Sequence, residues 1–178
     1  TFATALADGS AYNVTVLTQP VGQICTITAG SGTLSGANVT NVTANCVDSY
    51  TIGGSVSGLT GTLVLQNNGG DDLILTADGA FTFATALADG SAYDVTVLTQ
   101  PAGQICTITT GSGTLAGADV TNVAANCVSM YTIGGTVSGL SGTLVLQNNG
   151  GDDLTLTADG AFTFATALAD GSAYDVTV

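Results

Sequence analysis

Thr82-Phe83-Ala84-Thr85-Ala86-Leu87-Ala88-Asp89-Gly90 opens a passage that this chain spells three times, beginning also at Thr1 and at Thr163, once every 81 residues. Laying residues 1–97 over 82–178 leaves only 11 differences, among them Asn13/Asp94, Ser35/Ala116, Thr43/Ala124 and Ile74/Thr155. Self-similarity at a fixed period marks an array of like units. The unit is expected to run from Ser49 to Ser129. Residues 1–48 are then the C-terminal part of one repeat, 49–129 a complete repeat, and 130–178 the N-terminal part of the next. Residues 17–48 and 130–178 together supply one more period of 81. Two explanations fit partial units at both ends. One is a slice of a continuous polypeptide, which is preferred; the other is partial units of neighbouring subunits that complete one another.

Within 49–129, short runs alternating apolar residues with Thr are separated by Gly, Asp and Asn every few residues, the rhythm of a β-sandwich. Seven strands are expected, near 50–56, 62–66, 72–76, 80–84, 92–99, 104–109 and 120–127. Because successive strand residues face opposite sides, Leu63 and Leu65, Leu73 and Leu75, Phe81 and Phe83, and Tyr93, Val95 and Val97 should point inward, with Val123 and Ala125 on the last strand. Ile74/Thr155 and Thr43/Ala124 differ at outward positions, whereas the inward residues do not change between copies. Asn67-Asn68-Gly69-Gly70-Asp71 and Ala77-Asp78-Gly79 hold residues that tolerate positive φ and so make turns. Seven strands in an up-and-down run would send the termini out at opposite ends. Only Val47, Asp48 and Ser49 link the units, so neighbours should stack end to end as a rod.

Composition removes most chemistry. The chain has no Lys, Arg, His or Glu; its 13 acids are all Asp, and its net charge is −13. No side chain can serve as a near-neutral base in the manner of His, form a Schiff base or clamp a phosphate. Nucleic acid would be repelled, with no cation available to displace its counterions. No apolar run is long enough to span a bilayer, so membrane insertion is not expected. Thr1-Phe2-Ala3-Thr4 has no charged leader, and an export signal is expected upstream of it. The chain is not expected to be an enzyme. Asp71 and Asp72 are adjacent on a strand and face opposite sides, so they cannot flank one glycosidic bond.

Tyr50-Thr51-Ile52-Gly53-Gly54, Gly61-Thr62-Leu63-Val64-Leu65-Gln66-Asn67-Asn68 and the Leu87-x5-Tyr93-x-Val95 spacing of a tyrosine corner carry a resemblance. The unit resembles bacterial immunoglobulin-like repeats, with the pattern of fibronectin type III and of transthyretin-like (carboxypeptidase-regulatory-like) domains. The resemblance covers the whole chain. It implies tandem seven-stranded Ig-like sandwiches, a role in secreted adhesins, stalks and fibres, and no catalytic residues to carry over.

Cys25/Cys46 and Cys106/Cys127 recur once per repeat on inward positions of the last two expected strands. That placement favours an intradomain disulfide, and with it an oxidising, extracellular setting, over free thiols, a metal pair or intermolecular bridges. Asp48, Asp71, Asp89 and Asp119 are expected to converge where one repeat meets the preceding one. Carboxylates without a cation would suit Ca²⁺, which takes several oxygen ligands. The plainer reading, which is favoured, is that Asp and Asn sit there because turns and solubility favour them. Asp48 becomes Ser129 in the next copy, and no EF-hand spacing is present. The sequons at Asn13, Asn38 and Asn41 are each lost in the next copy and are read as accidental.

The leading expectation is a structural segment of an extracellular filament that self-associates end to end, with lateral pairing through unguarded edge strands. The alternative is a passive stalk of a large surface adhesin, stiffened by calcium. A glycan- or matrix-binding module would be expected to expose an aromatic cluster, and the Tyr and Phe residues read mostly as core.

Overall fold

The computed structural model describes residues 2–178, and among these it is all-β, without a helix. The first stretch carries β1 (Ala11–Asn13), β2 (Gln23–Thr28), β3 (Ser31–Thr33) and β4 (Thr43–Tyr50). The middle carries β5 (Ile52–Ser57), β6 (Leu63–Asn67), β7 (Asp71–Leu75), β8 (Gly79–Thr82), β9 (Leu87–Ala88), β10 (Ala92–Thr99), β11 (Gln104–Thr109), β12 (Ser112–Thr114) and β13 (Val120–Tyr131). The last stretch carries β14 (Gly134–Val137), β15 (Leu144–Asn148), β16 (Gly151–Leu156), β17 (Gly160–Thr163), β18 (Leu168–Ala169) and β19 (Val176–Thr177).

The seven expected strands of the middle stretch correspond to β5, β6, β7, β8, β10, β11 and β13; the short β9 and β12 are additional. β6 and β7 form a hairpin in which Asn67 faces Asp71, and Asn68 turns the chain at φ 51°. Asn is one of the few non-glycine residues that tolerate this left-handed backbone, and here its side chain is also held by donating to the Ala92 carbonyl of β10 at 3.1 Å.

Two sheets enclose the core. One has the order β12-β10-β6-β7 and the other β11-β13-β5-β8. The expected inward residues all lie in or against one cluster: Leu63, Leu65, Phe81, Phe83, Tyr93, Val95, Val123 and Ala125 are buried, with Leu73, Leu75 and Val97 packed on them. Ile74 is exposed, as its position between Leu73 and Leu75 requires. Ile52, Val56, Leu59 and Leu115 complete the cluster. Phe81 and Phe83 meet edge to face, their centroids 6.0 Å apart. The ring of Tyr93 lies across its cross-strand partner Gly113, where an added Cβ would sit 2.8 Å from the hydroxyl oxygen.

The connectivity is not an up-and-down run. Consecutive β5 and β6 lie in different sheets, as do β7 and β8, and β5 pairs in parallel with the last strand, β13. Parallel first and last strands still carry the chain in at one end and out at the other. The backbones meet most closely at Gly54, where a Cβ would lie 1.8 Å from the Val123 carbonyl oxygen. A glycine is required there by space and not by backbone angle.

Two glutamines do work that the strand pattern does not reveal. Gln104 is buried; its Oε1 accepts from the Thr60 amide and its Nε2 donates to the Gly58 carbonyl, each at 2.7 Å. Asp78 holds the same loop from the other side, accepting from the Gly58 and Leu59 amides at 3.0 and 2.7 Å. Replacing Gln104 with Ala should therefore cost about 1–3 kcal/mol, because it removes both hydrogen bonds that this buried side chain makes to the 58–60 loop and leaves a hole in its place. The equivalent Gln23 bonds only the exposed Asp48 carboxylate, at 3.1 Å, and Gln23→Ala should be close to neutral by urea denaturation. Equal losses in the two variants would refute the clamp. Gln100 Oε1 accepts from the Cys106 amide at 2.7 Å and Nε2 donates to the Cys106 carbonyl at 2.9 Å. β11 is an edge strand, so this side chain occupies part of the edge that was expected to be unguarded.

The outer stretches repeat fragments of this plan. β1 pairs with β3 and β2 with β4; β14 pairs with β17, and β15 lies between β16 and β19. The parallel pairing of β5 with β13 has no counterpart in either among the described residues.

Candidate functional site: the strand across the junction

The three linker residues do not form a loop. Val47, Asp48 and Ser49 lie within β4, which runs unbroken from Thr43 to Tyr50. Its first six residues pair with β2, Asp48 facing Gln23; its last two pair with β9, Ser49 facing Ala88 and Tyr50 facing Leu87. The Ser49 amide donates back to the Gly22 carbonyl at 2.9 Å, and the Asp89 amide donates to the Asp48 carbonyl at 2.8 Å. One strand is thus hydrogen-bonded to the material before it and after it. The next junction repeats the arrangement: β13 spans 12 residues, Met130 and Tyr131 pair with β18, and the Asp170 amide donates to Ser129 at 2.8 Å. β9 and β18 are only two residues long, which is why alternation did not reveal them.

The four aspartates expected at this place behave differently. Burial around the Tyr50 ring, and then the charges of Asp48, Asp89 and Asp119, hold its phenol above the ordinary value of 10.0, so these three carboxylates share one neighbourhood. Each is already engaged: Asp48 accepts from Gln23 at 3.1 Å, Asp89 from the Gly117 amide at 2.8 Å and Asp119 from the Thr51 amide at 2.7 Å. Asp71 stands apart in its bonding, accepting from the Thr85 amide at 3.1 Å. Among the described residues no group of three or more acidic or cysteine side chains is arranged to hold a metal ion. Asp71, Asp89 and Asp119 each accept from a backbone amide, whereas Asp48 accepts from a glutamine side chain.

Alkaline titration reads this neighbourhood directly. A phenol whose pKa is raised in the fold contributes stability that is complete below its unfolded value and is lost as pH climbs through the folded value. Ultraviolet titration should show a late phenolate component that Tyr50→Phe removes and that high salt, which screens the carboxylates, moves toward the ordinary value. Persistence of the late step in Tyr50→Phe would assign it elsewhere. At the far end of the last stretch, the Leu140 and Gly139 amides hold Asp159 below its ordinary carboxylate value.

The cysteines are joined as Cys25–Cys46 and Cys106–Cys127. Each bond links facing residues of adjacent strands in one sheet, Cys106 on β11 and Cys127 on β13, and so staples the strand that continues into the junction. Two disulfides are compatible with an oxidising, extracellular environment. No helix among the described residues is long and apolar enough to cross a membrane. Two concave places are open to solvent: one is lined by Asn67, Asn68, Asp71, Thr85 and Leu87, the other by Leu6, Asp8, Leu34 and Asn38. No family model, curated protein or solved structure matches the chain.

Proposed function

We propose that this chain is a structural segment of an extracellular filament, built from Ig-like sandwiches of 81 residues set in single file and carrying no catalytic site. The observation that supports this most is the unbroken β4 and β13, each hydrogen-bonded on both sides of a junction. A linker held as strand has little freedom to bend, so each added repeat adds length and stiffness. The disulfide beside each junction holds the strand that transmits the load. Absence of Lys and Arg also leaves no trypsin-type cleavage site, which suits a long-lived secreted material.

One observation favours a second reading. A net charge of −13 with no compensating cation, together with Gln100 on the β11 edge, opposes lateral packing and favours single rods, as in the stalk of a surface adhesin. Negative-stain microscopy of the native secreted material separates the two. Bundled or continuous fibres support the filament, isolated rods anchored to cells support the stalk, and dispersed compact particles would end both.

A further inference from the structure

Of the ten asparagines in the chain, four precede valine, two cysteine and two asparagine; only Asn68 and Asn149 precede glycine. A side-chain amide is open to attack by the backbone nitrogen of the next residue. Glycine, with no Cβ, leaves that nitrogen accessible, where a β-branched valine shields it. Both Asn–Gly pairs form the turn of a hairpin, Asn68 and Gly69 at φ 51° and 69°, Asn149 and Gly150 at 54° and 71°. Asn68 and Gly69 are exposed to water at the tip of β6 and β7.

The fold ties this tip down. Asn68 Nδ2 donates to the Ala92 carbonyl at 3.1 Å, the Asn68 amide to the Asp94 carbonyl at 2.9 Å, and the Gly70 amide closes the turn on the Asn67 carbonyl at 3.2 Å. Behind it the buried Asn67 accepts through Oδ1 from the Asp94 amide at 3.2 Å. Asn149 repeats the arrangement, with Nδ2 on the Ala173 carbonyl at 3.2 Å and its amide on the Asp175 carbonyl at 2.8 Å. The amide that would react is thus bonded across to β10. It turns back onto the Gly69 nitrogen only when the tip lets go of that strand.

We propose that Asn68–Gly69 is a site of spontaneous deamidation that the fold holds closed, with Asn149–Gly150 its copy one period on. The Gly69 nitrogen loses its proton and bonds to Asn68 Cγ; the Cγ–Nδ2 bond breaks, and Nδ2 departs as ammonia, leaving a succinimide ring. Water then opens the ring at either carbonyl. The product is an aspartate at this position, or an isoaspartate whose main chain runs through Cγ and is one carbon longer. No oxidant, metal or enzyme is needed. The place gives the change its consequence: the hollow lined by Asn68 and Asp71 is also lined by Leu87, which faces Tyr50 of the junction strand. The new carboxylate has no donor for the Ala92 carbonyl and adds negative charge to a chain of −13 without a cation. An opening of the hairpin tip is thereby recorded as a permanent charge beside the junction. That consequence rests on the filament reading; the chemistry is tested apart from it.

The 178-residue chain is incubated in mildly alkaline buffer, folded and in urea, and the mass gain of an amide-to-acid exchange is located by peptide mapping. Conversion should be confined to the two Asn–Gly pairs. Asn68 should react at least about tenfold more slowly in the folded chain than in urea, because the closed tip must first open. Asn67→Ala removes the acceptor for the Asp94 amide, so the folded variant should convert at Asn68 several-fold faster than the parent. Gln66→Ala, which removes only a bond to the exposed Asp72, should convert at the parent's rate. Asn68→Gln/Asn149→Gln should remove the acidic forms. Equal rates in the folded chain and in urea, conversion spread over the Asn–Val pairs, or a folded Asn67→Ala no faster than the parent overturns the proposal. If circular dichroism shows Asn67→Ala unfolded, the comparison of the parent with and without urea decides alone. Fibres or rods in the native material are read by microscopy and do not depend on either result.

Discussion

Gly54→Ala is expected to destabilise the middle sandwich by at least ~3 kcal/mol, more than any ordinary addition of one methyl to a core. The added carbon would fall 1.8 Å from the Val123 carbonyl oxygen, and the atoms next nearest to it, Val123 C and Cα at 2.6 and 2.9 Å, are also backbone. No rotamer change relieves such a contact. β5 must separate from β13, and that parallel pairing joins the first strand to the last and closes the sheet. Urea denaturation followed by circular dichroism measures the loss as a shift in midpoint. Gly70→Ala is the control: its Cβ meets nothing within 4 Å, and it should move the midpoint by less than about 0.5 kcal/mol equivalent. A Gly54→Ala variant as stable as the control would mean that β5 and β13 are not in contact as described.

The contrast between what the sequence disclosed and what it hid has a physical cause. Strand positions and inward faces were legible because alternation is local: Leu63, Val64 and Leu65 announce two faces without reference to the rest of the chain. Which strands become neighbours is not local. β5 pairs with β13 across 68 residues in the Val120–Ile52 register, and no turn joins them to betray it. The one trace of it lay in Gly53-Gly54, since paired glycines inside a strand pattern mark a place where another backbone comes close. Leu59 and Leu115 enter the core from turns and so escaped any argument from strand periodicity.

At the junction the charges of three aspartates, Asp48, Asp89 and Asp119, bear on the Tyr50 phenol. Their bonding could not be read in the same way, because a carboxylate that caps a turn and one that waits for a cation have the same sequence. Gln100 and Gln104 escape a strand-pattern reading for a related reason: an uncharged side chain before a strand or at its first residue shows its use only when the backbone it serves is in place. The short β9 and β18, two residues each, decide the character of the junction yet carry no periodic signal.

Removing the Cys106–Cys127 bond is the second large perturbation, and the two copies of the bond make its mechanism separable. Both close a separation of 21 residues, so the chain-entropy model gives each the same ~3 kcal/mol. Their surroundings differ: Cys127 is buried in the middle sandwich, while Cys46 is exposed. The double variant Cys106→Ala/Cys127→Ala should therefore lose the loop contribution together with packing around two buried cysteines, and Cys25→Ala/Cys46→Ala the loop contribution with less packing, since only Cys25 of that pair is buried. A midpoint loss that is equal for the two would assign the effect to the unfolded chain. Thiol attack needs access to a sulfur, so brief reduction under native conditions, trapped by alkylation and read by mass spectrometry, should open Cys25–Cys46 first. Equal reduction of the two bonds in dilute solution would contradict the exposed position of Cys46.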